Sequence, residues 1–144
     1  MHGEAMKRKL ISSGSSFEKL AGYSRAVADG QYVHVSGTTG FDYAAMTITE
    51  DLIEQTHQCF RNIAAALADA GATLADVVRV RYLLIDASDF ERVSPLFGKY
   101  FAAARPAATA MVVGLVDARM KIEIEVTAQL PRAKTVLARE GGGG

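Results

Sequence analysis

Few side chains in this sequence have the type and spacing that metal binding or covalent catalysis requires. The histidines are His2, His34 and His57, and their separations match no zinc-binding motif. The single cysteine, Cys59, lies on the apolar stripe of a predicted helix, where a small and inert side chain is expected. The stretch 36–40, Ser-Gly-Thr-Thr-Gly, lacks the lysine of a phosphate-binding loop. We therefore predict no metal ion and no cofactor.

Three polar side chains remain as candidates for contact with a small ligand. Glu123 lies on the polar face of a predicted strand, where a glutamate is ordinarily solvated. In a closed cleft, loss of water would raise the pKa of its carboxyl and suit it to proton transfer. Tyr23 precedes a hairpin, and we expect a contact role because its phenol is neutral at pH 7. Ser36 offers a hydroxyl or backbone amides, or simply ends a strand.

Hydrophobic periodicity predicts the order strand, strand, helix, strand, helix, strand, strand. The first predicted elements are a hairpin at 24–36 with its turn at Asp29-Gly30 and an amphipathic helix at 51–70. They are followed by a strand at 78–84, whose buried face carries Val78, Val80, Tyr82 and Leu84, and by a helix at 90–104 that contains Pro95. A strand at 109–115 comes next, and in the last strand Ile122, Ile124, Val126 and Ala128 share one face. The stretch 109–115 is apolar on both faces, which is typical of a strand buried on both sides.

The predicted helices leave one face of the sheet without a cover. Two helices can shield a single face, so the opposite face must contact solvent or another chain. The apolar stretch 109–115 favours another chain, because exposed apolar area of that extent usually marks an interface. The sequence therefore predicts an oligomer without fixing its symmetry.

Length and charge limit the class of protein. With 144 residues, 49% of them hydrophobic, the chain fits one domain, which we place at 12–131 between a flexible segment at 1–11 and a tail at 132–144. Sixteen basic residues balance sixteen acidic ones, so binding to nucleic acid is not expected. The sequence shows no export signal and no apolar run that could span a membrane. With one unpaired cysteine, this favours the cytoplasm.

Several short stretches, in their order and spacing, resemble the RidA/YjgF family of reactive-intermediate deaminases. They are Gly22-Tyr23-Ser24, Val33-His34-Val35-Ser36-Gly37, the helix with Gln55 and Asn62, Ala70-Gly71 to Asp76-Val77-Val78, Asp89-Phe90, Arg105-Pro106-Ala107 and Lys121-Ile122-Glu123-Ile124-Glu125. The resemblance covers roughly 12–128. It implies an α+β, chorismate-mutase-like subunit with a mixed six-stranded sheet and two helices on one face. It also implies a homotrimer whose sheets line a central barrel, with a ligand cleft at each subunit boundary.

The resemblance implies hydrolysis of enamines or imines to a carbonyl product and ammonia, and it implies that Tyr23, Ser36 and Glu123 line the cleft, with Glu123 assisting the attack of water. In such enzymes an arginine two residues after a proline binds the substrate carboxylate. Here that position is Ala108. We expect no substitution by Arg105, because an odd offset along an extended segment points to the opposite face.

Further departures fall on the same cleft. An asparagine often found on the second helix is matched by Ser94, and a cysteine that often follows the arginine is matched by Ala110, with Thr109 between Ala108 and Ala110. Three functions follow as hypotheses: an imine or enamine deaminase, a non-catalytic module that binds a small metabolite or a partner protein, and, with least support, RNA cleavage or translation inhibition.

Overall fold

A mixed six-stranded sheet forms the body of the chain in the computed structural model, which describes residues 8–131. Its strands are β1 (Lys9–Ile11), β2 (Ala26–Ala28), β3 (Tyr32–Thr39), β6 (Val77–Leu84), β7 (Ala107–Val112) and β8 (Ile122–Gln129), arranged in the order β1-β2-β3-β8-β6-β7. All neighbours are antiparallel except β6 and β7. Two short strands, β4 (Phe41–Asp42) and β5 (Thr47–Ile48), form a separate ribbon. The predicted α+β class and the six-stranded mixed sheet are confirmed.

The helices are α1 (Ser16–Ala21), α2 (Leu52–Asp69) and α3 (Asp89–Tyr100), with a 3₁₀ turn at Leu74–Asp76. The two long helices were predicted, and α1 was not. Asp51 caps the N-terminus of α2, because its carboxylate accepts a hydrogen bond from the Glu54 amide at 2.8 Å, and Gly71 follows the C-terminal cap of the helix with φ +84°. Helix α3 contains Pro95 and ends at Tyr100, four residues earlier than predicted.

The core lies between α2, α3 and one face of the sheet. The alternation predicted for β8 is confirmed, because Ile122, Ile124, Val126 and Ala128 are all buried there. Aromatic rings fill the α3 end of this layer, with Tyr82 stacked on Phe97 at a centroid distance of 3.7 Å. This packing leaves the side chains between the buried β8 residues, Glu123 among them, on the opposite face.

The strand predicted to be buried on both sides is an exposed edge strand. β7 spans Ala107–Val112, ends three residues earlier than predicted, and every residue in it is exposed. The prediction of burial was wrong because β7 lies at the edge of the sheet and pairs with β6 alone. Apolar edge strands of this kind are usually covered by another element or chain.

Three further features of the strands differ from the sequence prediction. A bulge between Val77 and Arg79 buries Val77 and leaves Val78 exposed, contrary to the predicted face. The hairpin turn is centred on Gly30-Gln31, one residue later than predicted, because the Asp29 amide donates to the Tyr32 carbonyl at 3.0 Å. Residues 9–11, placed by the sequence in the N-terminal segment, form β1 and pair with β2. The predicted tail at 132–144 lies outside the described residues.

The face of the sheet opposite the helices is largely polar. His34, Arg79, Arg81, Glu125 and Thr127 surround a shallow depression there, and Arg81 pairs with Glu125 at 3.2 Å. Among residues 8–131, no helix is long and apolar enough to cross a membrane.

Candidate functional site

Glu123 lines a small cavity on the face of the sheet opposite α2 and α3. Strand β8 runs between β3 and β6, with Glu123 opposite Thr39 on one side and Leu83 on the other. Burial raises the pKa of the Glu123 carboxyl above its ordinary value, the positive charge of Arg25 opposes that shift, and the nearby Glu125 carboxylate adds to it. The site therefore holds a carboxyl whose protonation equilibrium is moved toward the range useful for acid–base catalysis.

Gly37 makes room for this carboxyl. The register of β3 against β8 shifts between Val35 and Thr38, so Gly37 lies in an irregular stretch beside Glu123. A Cβ at residue 37 would lie 2.8 Å from Glu123 Cδ and 2.9 Å from its Oε2. Only glycine leaves space for the carboxyl in this position.

Arg25 is buried beside the site and contacts residues that line it. Its side chain is only 2% exposed, and Nη1 donates to the Gly37 carbonyl at 2.7 Å and to Thr38 Oγ1 at 3.2 Å. Nη2 donates to the Tyr23 hydroxyl at 3.4 Å, and the guanidinium lies 4.3 Å from the centroid of the Tyr43 ring. A single buried cation thus ties together Tyr23, the backbone at Gly37 and the electrostatic field at Glu123.

Sequence reasoning missed Arg25. An arginine at the start of a hairpin is ordinarily exposed, and periodicity gives no sign that this one is enclosed. Its position between Tyr23 and the buried Ala26 was the only available signal, and that signal is weak.

The cavity around Glu123 has a volume of about 160 Å³ and is mostly apolar. It is lined by Phe17, Leu20, Ala21, Tyr23, Gly37, Thr39, Tyr43, Val116, Met120 and Glu123. Two of the predicted site residues, Tyr23 and Glu123, therefore share one cavity. Three of the lining residues, Phe17, Leu20 and Ala21, belong to helix α1, which the sequence did not predict.

Ser36 lies on β3 near this cavity but does not line it. Its hydroxyl donates to the Ser24 carbonyl at 2.7 Å, and its amide donates to the Arg25 carbonyl at 2.9 Å. Both bonds hold the segment that precedes β2, which carries Tyr23 and Arg25, against β3. In this chain the hydroxyl of Ser36 is already engaged in a structural hydrogen bond.

Ser94 and Ala108 line a second cavity, on the helix-covered side of the sheet. It has a volume of about 330 Å³ and is lined by Tyr82, Phe90, Ser94, Phe97, Gly98, Phe101, Arg105, Pro106 and Ala108. Ala108 is in register with the buried Val80, whereas Glu123 faces the other way. Thr109 and Ala110 follow on the exposed edge strand. Within one chain, the predicted site residues thus form two groups on opposite faces.

Comparisons with known proteins match nearly all of the described fold. The profile of the family described as Endoribonuclease L-PSP matches residues 13–130. A solved Mycobacterium tuberculosis protein, Rv2704, described as a member of the YjgF/YER057c/UK114 family, is 40% identical with a TM-score of 0.79, covering 86% of this chain and all of that one. The chain belongs to the RidA/YjgF family.

Two curated relatives extend the RidA/YjgF match. A Streptomyces coelicolor protein, SCO2049, is 36% identical over 129 residues, covering 89% of this chain and 95% of its own. The 2-iminobutanoate/2-iminopropanoate deaminase of Capra hircus is 30% identical over 125 residues, covering 86% of this chain and 91% of its own.

The expectation that Arg105 points away from Ala108 was wrong. Arg105 has φ +48°, so the chain at this point is left-handed rather than extended, and the alternation argument does not apply to it. Strand β7 begins only at Ala107. Consequently Arg105 and Ala108 line the same cavity, together with Ser94.

Cys59, His34 and His57 line neither of the two cavities. Burial raises the pKa of the Cys59 thiol, which lies fully enclosed in the core. His34 pairs with Asp29 at 3.2 Å on the surface, and His57 Nδ1 lies 2.6 Å from the Tyr100 hydroxyl. Within residues 8–131 no group of three or more His, Cys, Asp or Glu side chains is arranged to hold a metal ion.

Proposed function

We propose that this RidA/YjgF protein binds a small imine or enamine and hydrolyses it to a carbonyl compound and ammonia, with Glu123 as the catalytic residue. The observation that carries the proposal is the Glu123 carboxyl, half-buried in a cavity with Tyr23 and seated against Gly37. The raised pKa of this carboxyl suits a group that must both accept and return a proton.

The reaction needs one base and one water. The Glu123 carboxylate accepts a proton from water as the water oxygen bonds to the imine carbon, and the C=N electron pair moves to nitrogen, which takes up a proton from bulk water. The protonated Glu123 then returns its proton to the departing nitrogen. The C–N bond breaks and ammonia leaves, while the hydroxyl oxygen releases its proton to bulk water as the carbonyl forms, so that imine and water are converted to a carbonyl compound and ammonia. Tyr23 contacts the substrate from the cavity wall.

We further propose that the active cleft is assembled between subunits of a homotrimer. Two findings support this. The two groups of site residues face opposite sides of the sheet within one chain, so one chain alone does not bring them together. The exposed β7 also carries apolar side chains, among them Met111 and Val112, that a neighbouring subunit would cover. A subunit boundary in a trimer would bring the two groups of site residues together and would cover β7. The unpaired, buried cysteine agrees with a cytoplasmic location.

The name of the goat relative supports 2-iminobutanoate and 2-iminopropanoate as first substrates to test. The imine is generated in place from an amino acid, and its decay and the release of ammonia are followed with and without the protein. Glu123→Gln removes the base, and Glu125→Gln is the matched control because it lies on the same strand and pairs with Arg81. We expect acceleration by the wild type and by Glu125→Gln but not by Glu123→Gln. Decay at the buffer rate with every imine tested would contradict the proposal.

A non-catalytic binding module is the second candidate, and Ala108 is the observation that favours it. Without an arginine at this position the substrate loses a charge-assisted contact worth about 1.5–3 kcal/mol. A rise in melting temperature with 2-oxobutanoate, in the absence of imine turnover, would support this alternative. RNA cleavage has the least support, because basic and acidic residues balance over the chain.

A further inference from the structure

We infer that Arg105 supplies the carboxylate-binding cation of the second cavity, in place of an arginine at position 108. The inference rests on the proposed function, which it deepens by assigning the substrate carboxylate to a residue of this chain. It starts from a shared location: Arg105, Ser94 and Ala108 line one cavity of about 330 Å³. That volume is sufficient for a small carboxylic acid.

The backbone places Arg105 there. Its φ of +48° is rare for a residue with a side chain, and rarer before a proline, which disfavours helical conformations in the preceding residue. A hydrogen bond from the Arg105 amide to the Phe101 carbonyl, 2.9 Å long, ties this conformation to the end of α3. Because of this turn the side chain leaves the chain on the cavity side rather than on the side that an extended strand would give.

The guanidinium is available to a ligand. Among residues 8–131, Arg105 has no carboxylate within 4 Å and no side-chain hydrogen bond, whereas Arg81, Arg92 and Arg119 each pair with an acidic residue. A guanidinium binds a carboxylate through two parallel hydrogen bonds, and a planar fork of this kind is specific for that group. The small side chain of Ala108 leaves the space beside it open.

The other residues that line the cavity determine which group a bound carboxylate can carry. Its walls include the stacked rings of Tyr82 and Phe97 and the edge of Phe90, with Ser94 as a neutral polar group. An apolar side chain fits these rings, whereas a second charge would be left unpaired. The ligand class that these walls fit is therefore a small monocarboxylate with an apolar side chain, and the substrates of the proposed function belong to that class.

Equilibrium binding of 2-oxobutanoate to the full chain tests this assignment without requiring turnover. We expect Arg105→Gln to weaken binding about tenfold or more, the loss expected for a charge-assisted contact. Arg92→Gln is the matched control, since it makes the same charge change on α3 and does not line the cavity. Neutral 2-oxobutanamide should bind wild type and Arg105→Gln equally.

Two further variants keep the test decisive. Arg105→Asn also removes the charge and tolerates the left-handed backbone better, so it serves if Arg105→Gln folds poorly. Adding Ala108→Arg to Arg105→Gln should restore binding of the acid. Wild-type affinity in both uncharged variants, or an equal loss in Arg92→Gln, would overturn the inference. If 2-oxobutanoate binding depends on Arg105 but no imine is hydrolysed, the proposed function fails while this inference stands.

Discussion

The carboxyl of Glu123 lies against the α-carbon of Gly37, so closely that a Cβ at residue 37 would come within 2.8 Å of Glu123 Cδ. Glu123 is paired with Thr39 across β3 and β8, and the register shift between Val35 and Thr38 brings Gly37 beside the Glu123 carboxyl. Because Gly37 has no side chain, the carboxyl of Glu123 can occupy this position in the cavity.

Replacing Gly37 by alanine should therefore lower activity much more than stability. The added methyl meets the flexible end of Glu123, which can move away at small cost, but the carboxyl then leaves its position in the cavity. We expect a fall in kcat for imine hydrolysis of about tenfold or more with little change in melting temperature. Gly114→Ala is the control, because nothing lies within 4 Å of its added Cβ. Equal kcat in both variants would show that the Glu123–Gly37 contact is not functional.

Gly40→Ala should have the opposite effect. A Cβ at residue 40 would lie 2.7 Å from both Cα and Cβ of Gln55, which belong to the backbone and first turn of α2. Helix α2 would have to move away from the sheet, at a cost of about 1–3 kcal/mol typical of overpacking. Urea denaturation followed by circular dichroism measures this loss. A midpoint equal to that of Gly114→Ala would contradict the close approach of α2 to residue 40.

Arg25 should control the pKa of Glu123. Its positive charge opposes the upward shift caused by burial, so Arg25→Gln should move the acidic limb of the pH–rate profile to higher pH. Arg25→Lys keeps the charge and should leave the limb near its wild-type position. Both variants lose hydrogen bonds to Gly37 and Thr38, so a similar loss of stability is expected in the two. Identical limbs in Arg25→Gln and Arg25→Lys would mean that the charge has no influence on the base.

Glu123→Gln should stabilise the folded chain at neutral pH while removing activity. Because the pKa of Glu123 is raised on folding, the native state holds its proton more tightly than the unfolded state does. Stability is then highest below the unfolded pKa and falls as the pH rises through the folded pKa. The melting temperature of Glu123→Gln should exceed that of the wild type at pH 7 and approach it near pH 4. A lower melting temperature for Glu123→Gln at pH 7 would contradict the sign of this shift.

How far the sequence predicts this molecule depends on how local the decisive contacts are. The alternation of apolar and polar residues in β8 and the apolar stripe of α2 can be read directly from the sequence. Both elements, and the face of β8 that carries Glu123, are therefore predicted correctly. The sequence does not predict that β7 is exposed, because its exposure depends on which strand lies at the edge of the sheet. A strand apolar on both faces can be a central strand or an edge strand that another chain covers.

The candidate site was predicted only in part for the same reason. Tyr23 and Glu123 were identified, and they share a cavity. Arg25 was missed because its burial depends on contacts with β3 and Tyr43 that are distant from any local pattern. Arg105 was misplaced because a single left-handed residue breaks the alternation on which the argument relied. Local pattern thus predicts elements, while the geometry of the site depends on bulges, turns and buried charges.

The pH dependence of kcat/KM for 2-iminobutanoate hydrolysis, measured in wild type and Glu123→Gln and corrected for the buffer reaction, tests the central claim most directly. We predict that the wild-type value rises with pH through a single acidic limb whose midpoint lies above 4.5, the ordinary pKa of a glutamate. In Glu123→Gln the limb and the enzymatic rate should both disappear. A Glu123→Gln variant that retains the wild-type rate and limb would show that another group is the base.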